Sequence, residues 1–171
     1  MKSWLMFALL VVAFVGRLLP HPDNFTPALA IALFAGAMLP SRIAFIVPIV
    51  AMAASDLALG YPIDWTTPVV YGTLLVVVAI GLWLGTGRTW TRTLLATLSG
   101  SVLFFVVTNF AAWLGPLHLY PQTFEGLVQC YVMALPFFRH SLLGDLVWTA
   151  ALFGIYDLTS AWLTARRHAV A

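Results

Sequence analysis

Apolar residues run almost unbroken from Trp4 to Gly16. The run then stops at RLLPHPDNFTPALA, residues 17–30, and resumes. An α-helix needs about 20 residues to cross ~30 Å of hydrocarbon. On that scale the pattern predicts helices at about 3–20, 26–39, 42–60, 66–86, 92–115 and 140–165. The second is short, which implies little tilt, thin flanks or partial burial in protein. A seventh apolar stretch, 123–138, contains Glu125, Gln129, Cys130 and Pro136 and ends at Arg139. It reads as a loop or interfacial helix, or one dipping into the bundle, rather than a full span. The start, MKSWLMFALLVVAFVG, has the charge and apolar run of a signal peptide. It lacks a clear small-x-small cleavage site, so it is expected to stay as the first helix.

Composition turns this pattern into a class. The chain is 62% hydrophobic and only 8% charged, whereas soluble domains carry about a quarter charged residues. It has too little polar surface to cover itself in water. The expectation is one all-α, polytopic membrane bundle over residues 1–171, with six transmembrane helices plus the 123–138 segment. A net charge of +2 supports no nucleic-acid partner. The single cysteine excludes an internal disulfide.

Charge placement gives the orientation. With six spans, Lys2, Arg42, Arg88, Arg92, Arg166 and Arg167 share one side, against Arg17 and Arg139 on the other. Positive residues collect on the cytoplasmic side, so both termini are expected there, in a bacterial inner membrane. A seventh span would place Arg166 and Arg167 outside. Trp4, Trp83, Trp90 and Trp162 then form an inner aromatic belt, and Trp65 and Trp113 an outer one.

The interruption at 17–30 now has a place. Counting from the cytoplasmic ends, Arg17, Asp56 and Asp145 lie about 21–22 Å up and Asn109 about 25 Å up. Four polar groups on four helices reach one depth, with Arg139 and the HPDN turn just above. Charges in hydrocarbon usually face a bundle interior or a water-filled cavity. Pro20, Pro22 and Pro27 stiffen the turn. One expectation is an outward-facing binding pocket using Arg17, Asn24, Asp56, Asn109, Trp113, Arg139 and Asp145. Arg would hold an anionic or carbonyl group and Asn a ring edge. The other is inter-helix glue, Arg17 to Asp56 and Arg139 to Asp145, with no ligand.

Three outer loops, HPDNFTP, YPIDWTTP and GPLHLYPQTFEG, mix proline, aromatic and polar residues. They suit either interfacial loop chemistry or a lid, in which Trp65, Trp113, Tyr120 and Phe124 would stack on a flat ligand. Ala28, Ala32 and Gly36 recur every four residues, a small-residue face for close helix approach. It serves internal packing or a partner subunit. Asp157, nearer the cytoplasmic side, either pairs with a neighbour or marks an inner gate. No phosphate loop, nucleotide motif or zinc-protease His pair is present, so catalysis and a cofactor are not expected. His21, His118, His140 and Cys130 fall on the outer side without a known ligand spacing, and interfacial histidines are expected rather than a metal site.

RLLPHPDNFTPALAIALFAGA, SDL, FFVVTNFAAW, YPQTFEGLVQCYVMALPFFRHSLLGDL and LFGIYD resemble an uncharacterised bacterial family of membrane proteins assigned to transport. The resemblance covers nearly the whole chain. More distantly, the size, six spans and outward pocket resemble the substrate-binding (S) components of energy-coupling factor vitamin transporters. That resemblance implies capture of a vitamin-like solute or micronutrient from outside. It also implies docking through a small-residue face onto a transmembrane subunit driven by ATPases. The family's face lies on the first helix, whereas Ala28, Ala32 and Gly36 lie on the second. The expected function is therefore solute capture and transport. The rivals are a structural or assembly protein and an intramembrane enzyme. Coupling to protons through Asp56, Asp145 and Asp157 stays open.

Overall fold

The computed structural model describes the backbone of residues 2–85 and 87–170 and the side chains of 5–85 and 87–166. Lys2, Trp4 and Arg167, which carry part of the charge and belt pattern, have side chains outside the described residues. Six helices follow one another: α1 (Lys2–Leu18), α2 (Ala28–Met38), α3 (Ser41–Leu59), α4 (Thr67–Leu84), α5 (Trp90–Leu114) and α6 (Phe124–Val170). Among the described residues there is no strand. Four of them, α3 to α6, are long and apolar enough to cross a membrane.

The short α2 is the centre. Its sequence, ALAIALFAGAM, is apolar all round, a pattern that suits burial on every side, in protein or in lipid. It touches α1, α3, α4, α5 and α6, and every residue from Leu29 to Gly36 is buried. Its tightest neighbour is α4. A methyl group added to Gly36 would collide with the Val78 carbonyl oxygen and lie 2.9 Å from the Gly81 Cα. One added to Gly81 would collide with the Leu33 carbonyl oxygen. Two facing glycines thus let the backbones touch. Phe34 stacks edge-on against Phe153 of α6, with ring centroids 4.8 Å apart.

Of the two uses read for the small-residue face, internal packing and a partner subunit, the fold shows the first. Ala32 is fully buried and Gly36 lies against α4, while Ala28 opens onto the cavity described below. In this arrangement the face packs the bundle internally.

Helix ends follow local chemistry. Gly60 takes a left-handed conformation (φ 71°) that closes α3, and the Thr89 hydroxyl caps α5 by accepting from the Arg92 N–H. The prediction of a break near Pro136 and Arg139 is corrected. The stretch predicted at 123–138 is not a separate loop or interfacial helix: from Phe124 on it is the first part of α6, which runs 47 residues, about 70 Å. A proline removes one backbone donor, and a helix packed against neighbours tolerates that loss. The neighbour here is α5. Tyr131 donates its hydroxyl to the Val106 carbonyl (2.8 Å), and Phe138 stacks on Phe105 at 4.5 Å.

A polar cavity at one end of the bundle

Near the α1–α2 turn the helices separate around a cavity of about 440 Å³, within the usual range for small-molecule sites. Its polar lining comes from four places: Arg17 on α1, Asn24 and Thr26 in the turn, Thr108 and Asn109 on α5, and Ser141 and Asp145 on α6. Phe104, Phe105, Phe137 and Phe138 form apolar wall, with Met52, Val70 and Leu74 from α3 and α4.

Two glycines seat the turn over this space. A methyl group on Gly16 would lie 2.8 Å from the Pro27 ring, and one on Gly144 would lie 3.0 Å from the Phe25 Cα. Each glycine directly precedes a charged lining residue, Arg17 or Asp145. Asn24 supplies the left-handed corner (φ 62°) that the turn requires; Asn adopts that conformation more readily than most residues.

Arg17 is anchored to α3. Its Nη1 donates to Asp56 Oδ1 at 2.7 Å and to Ser55 Oγ at 2.6 Å, with the pair's side chains only 12% and 18% exposed. The other Asp56 oxygen accepts from the Tyr71 hydroxyl at 2.7 Å. Asp56 thus stands behind Arg17 rather than in the lining. Of the two pairs that the glue reading invoked, this one forms.

The other does not. Arg139 is exposed, makes no ion pair among the described residues and does not line the cavity. It precedes Asp145 by six residues, about 120° around the helix, so it points elsewhere. Asp145 is only 5% exposed and accepts instead from Ser101 Oγ at 2.7 Å. Trp113 also leaves the lining: its indole N–H donates to the Pro121 carbonyl at 2.9 Å, and its own carbonyl accepts from Gln122. It holds the α5–α6 loop. Trp65 lies against Gly115 of the same loop, and Trp65, Tyr120 and Phe124 are all absent from the cavity wall.

Ser101 was missed in the sequence. It ends a row of hydroxyls along α5 and its N-cap, Thr89, Thr93, Thr97 and Ser101, spaced four apart, and that spacing was the available signal. Thr93, Thr97 and Ser101 each bond the carbonyl one turn back at 2.9–3.0 Å. Thr97 also meets Thr149 of α6 at 3.3 Å. Asn109 likewise donates its Nδ2 to the Phe105 carbonyl, and its side-chain oxygen keeps its acceptor capacity.

At the opposite end, Asp157 pairs with Arg88, whose guanidinium lies over the Phe153 ring, 4.9 Å from its centroid. That settles its partner. Among the described residues no three His, Cys, Asp or Glu side chains gather where a metal would sit. Cys130 is buried with its sulfur 3.4 Å from the Asn109 carbonyl.

With this geometry in hand, comparison with known proteins adds one assignment. The sequence matches a family of unknown function, DUF6580, over residues 1–167. The chain belongs to that family. No curated protein and no solved structure matches it.

Proposed function

We propose that the protein is a membrane-embedded capture protein that binds a small polar solute in this cavity and hands it across the bilayer. One observation carries the reading: an otherwise apolar bundle opens, at one end, a 440 Å³ space onto which Arg17, Asn24, Asn109 and Asp145 converge from separate elements. Buried polar groups on several helices cost free energy in hydrocarbon, and a ligand that bonds to them offsets that cost. Arg42, Arg88, Arg92 and Arg166 lie on the far side by helix position. The positive-inside rule therefore orients the cavity outward in a bacterial cytoplasmic membrane, with both termini inside. An S-component-like mode, with a transmembrane coupling subunit and ATPases, is the form of transport we favour. Its docking surface would lie elsewhere than the buried Ala32 and Gly36.

The structural reading keeps one point in its favour, the closed Arg17–Asp56 pair. Native mass spectrometry of the protein, gently extracted from its own host, separates the two. A co-purifying small molecule is expected. With coupling subunits present it selects the energy-coupled form, and alone it selects a solitary carrier. A bare chain across several growth conditions would overturn capture in favour of a purely structural role.

A further inference from the structure

The charges around the cavity do not cancel. Among the described residues Arg17 is the one cation in the lining, and its charge is already met by Asp56 at 2.7 Å. Asp145 has no cation within ion-pair distance among the described residues. Its one hydrogen-bonding neighbour, Ser101, carries a single hydroxyl proton and has two acceptors to choose from, Asp145 Oδ2 at 2.7 Å and the Thr97 carbonyl at 3.0 Å. Counted as formal charges, one guanidinium stands against two carboxylates, so the site has a place for one more positive charge. The charged and titratable residues nearest Asp145 along its own helix, Arg139 and His140, are exposed and lie outside the lining.

The apolar wall has the matching character. Phe104, Phe105, Phe137 and Phe138 line the same space, and aromatic faces attract cations, more strongly when water is excluded. Arg17 engages α3 through Nη1, and its other guanidinium nitrogens remain as donors. A charge-compensated arginine of this kind suits a neutral acceptor, such as a carbonyl or ring nitrogen, better than a full anion.

From this juxtaposition we infer that the solute is a small organic cation with N–H donors, such as a protonated amine, an amidine or an aminated heteroaromatic ring. Its cationic end is bound by Asp145 between the phenylalanine rings, and its acceptor faces Arg17. The inference rests on the capture reading and deepens it: of the anionic or carbonyl group that Arg17 in the sequence alone suggested, the neutral acceptor is kept, and a cationic end is added at Asp145.

The test uses three probes of one shape and different charge, benzamidinium, benzamide and benzoate, titrated against the full-length protein in lipid nanodiscs. Benzamidinium is expected to bind at least about 30-fold more tightly than benzamide, the scale of a desolvated charge pair, and benzoate not at all. Asp145→Asn, which keeps the shape and an acceptor, should erase the preference for benzamidinium over benzamide. Should that variant fail to fold, the ranking on the unaltered protein decides. Tightest binding of benzoate, or equal binding of all three, would overturn the cation assignment and leave capture standing. If none of the three binds, the charge of the molecule found by native mass spectrometry decides: a cation supports the assignment and an anion overturns it. No probe bound and no molecule found would remove the capture reading itself, and this inference with it.

Discussion

Two seams hold α2 and α6 in place, and they are built on opposite principles. Between α2 and α4 there is nothing polar to pair: Gly36 and Gly81 face each other and the backbones meet. Between α5 and α6, beside the Phe105–Phe138 stack, the buried contact includes a ladder of hydroxyls, Thr97 to Thr149 and Ser101 to Asp145. The first seam gains from dispersion at close range, the main source of helix association where lipid is as apolar as the side chains. It is unforgiving, because a backbone carbonyl cannot step aside. The second gains modestly from each bond and leaves room, and the cavity opens beside it. The contrast shows where this bundle is rigid and where it keeps space for something else.

The sharpest way to break the contrast is to add one methyl group to the rigid seam. Gly36→Ala should destabilise the bundle by about 3 kcal/mol or more, since the methyl meets a carbonyl and not a movable side chain. Unfolding from mixed micelles by titration with a strong detergent measures this. Gly72, on the same α4 as Gly81, has nothing within 4 Å of an added methyl. Gly72→Ala should leave stability unchanged or raise it slightly. Equal losses at both positions would remove the close-approach account.

The Arg17–Asp56 pair should come next. Removing one partner of a buried pair leaves the other uncompensated. Arg17→Met should cost about 2–3 kcal/mol, below the fully buried range because both groups keep some exposure. Adding Asp56→Leu to it should recover part of that loss. A double variant as unstable as the sum of the singles would mean that the two groups act independently.

The hydroxyl ladder should be the softer seam. Thr97→Val removes one weak inter-helix bond and should cost about 0.6 kcal/mol, the average for such bonds inside membranes. Ser101→Ala should cost more, about 1–3 kcal/mol, because it deprives buried Asp145 of its donor. If Thr97→Val matched Gly36→Ala, the two seams would not differ in kind.

Much of this architecture was legible in the chain. Five helices were expected within two or three residues of where they lie, because Gly60, Pro20, Pro27 and Pro40 punctuate an otherwise apolar sequence. The shortness of α2 left little tilt, thin flanks and partial burial open, and burial at the centre is what the fold uses. The unbroken α6 was not legible, because Pro136 and Arg139 mark a break in isolation, and the packing against α5 that carries the helix through them is tertiary. For the site, helix position gave depth: Arg17, Asn109 and Asp145 do share one cavity. Depth says nothing of azimuth, which is why Arg139, just above that level, faces away. Nor does it show that a tryptophan one turn from Asn109 is already held by a loop carbonyl.

A third carboxylate gives the scale for the buried one. Asp64, in the loop ahead of α4, is exposed, yet its Oδ1 accepts from the Thr66 hydroxyl at 2.6 Å and from the Thr66 and Thr67 backbone N–H groups at 2.9 and 3.2 Å. The Thr66 hydroxyl first, then these amides, hold its carboxyl below the usual carboxylate range. Because the folded value is the lower one, the stabilisation is present above the unfolded value near 4 and fades as pH falls through the folded value. Asp64→Asn should therefore flatten the acid limb of the unfolding midpoint slightly and change nothing at neutral pH beyond a small loss of capping, the smallest effect of the set. A large change at neutral pH would mean that the loop, and not the α5–α6 seam, is where this protein stakes its carboxylates.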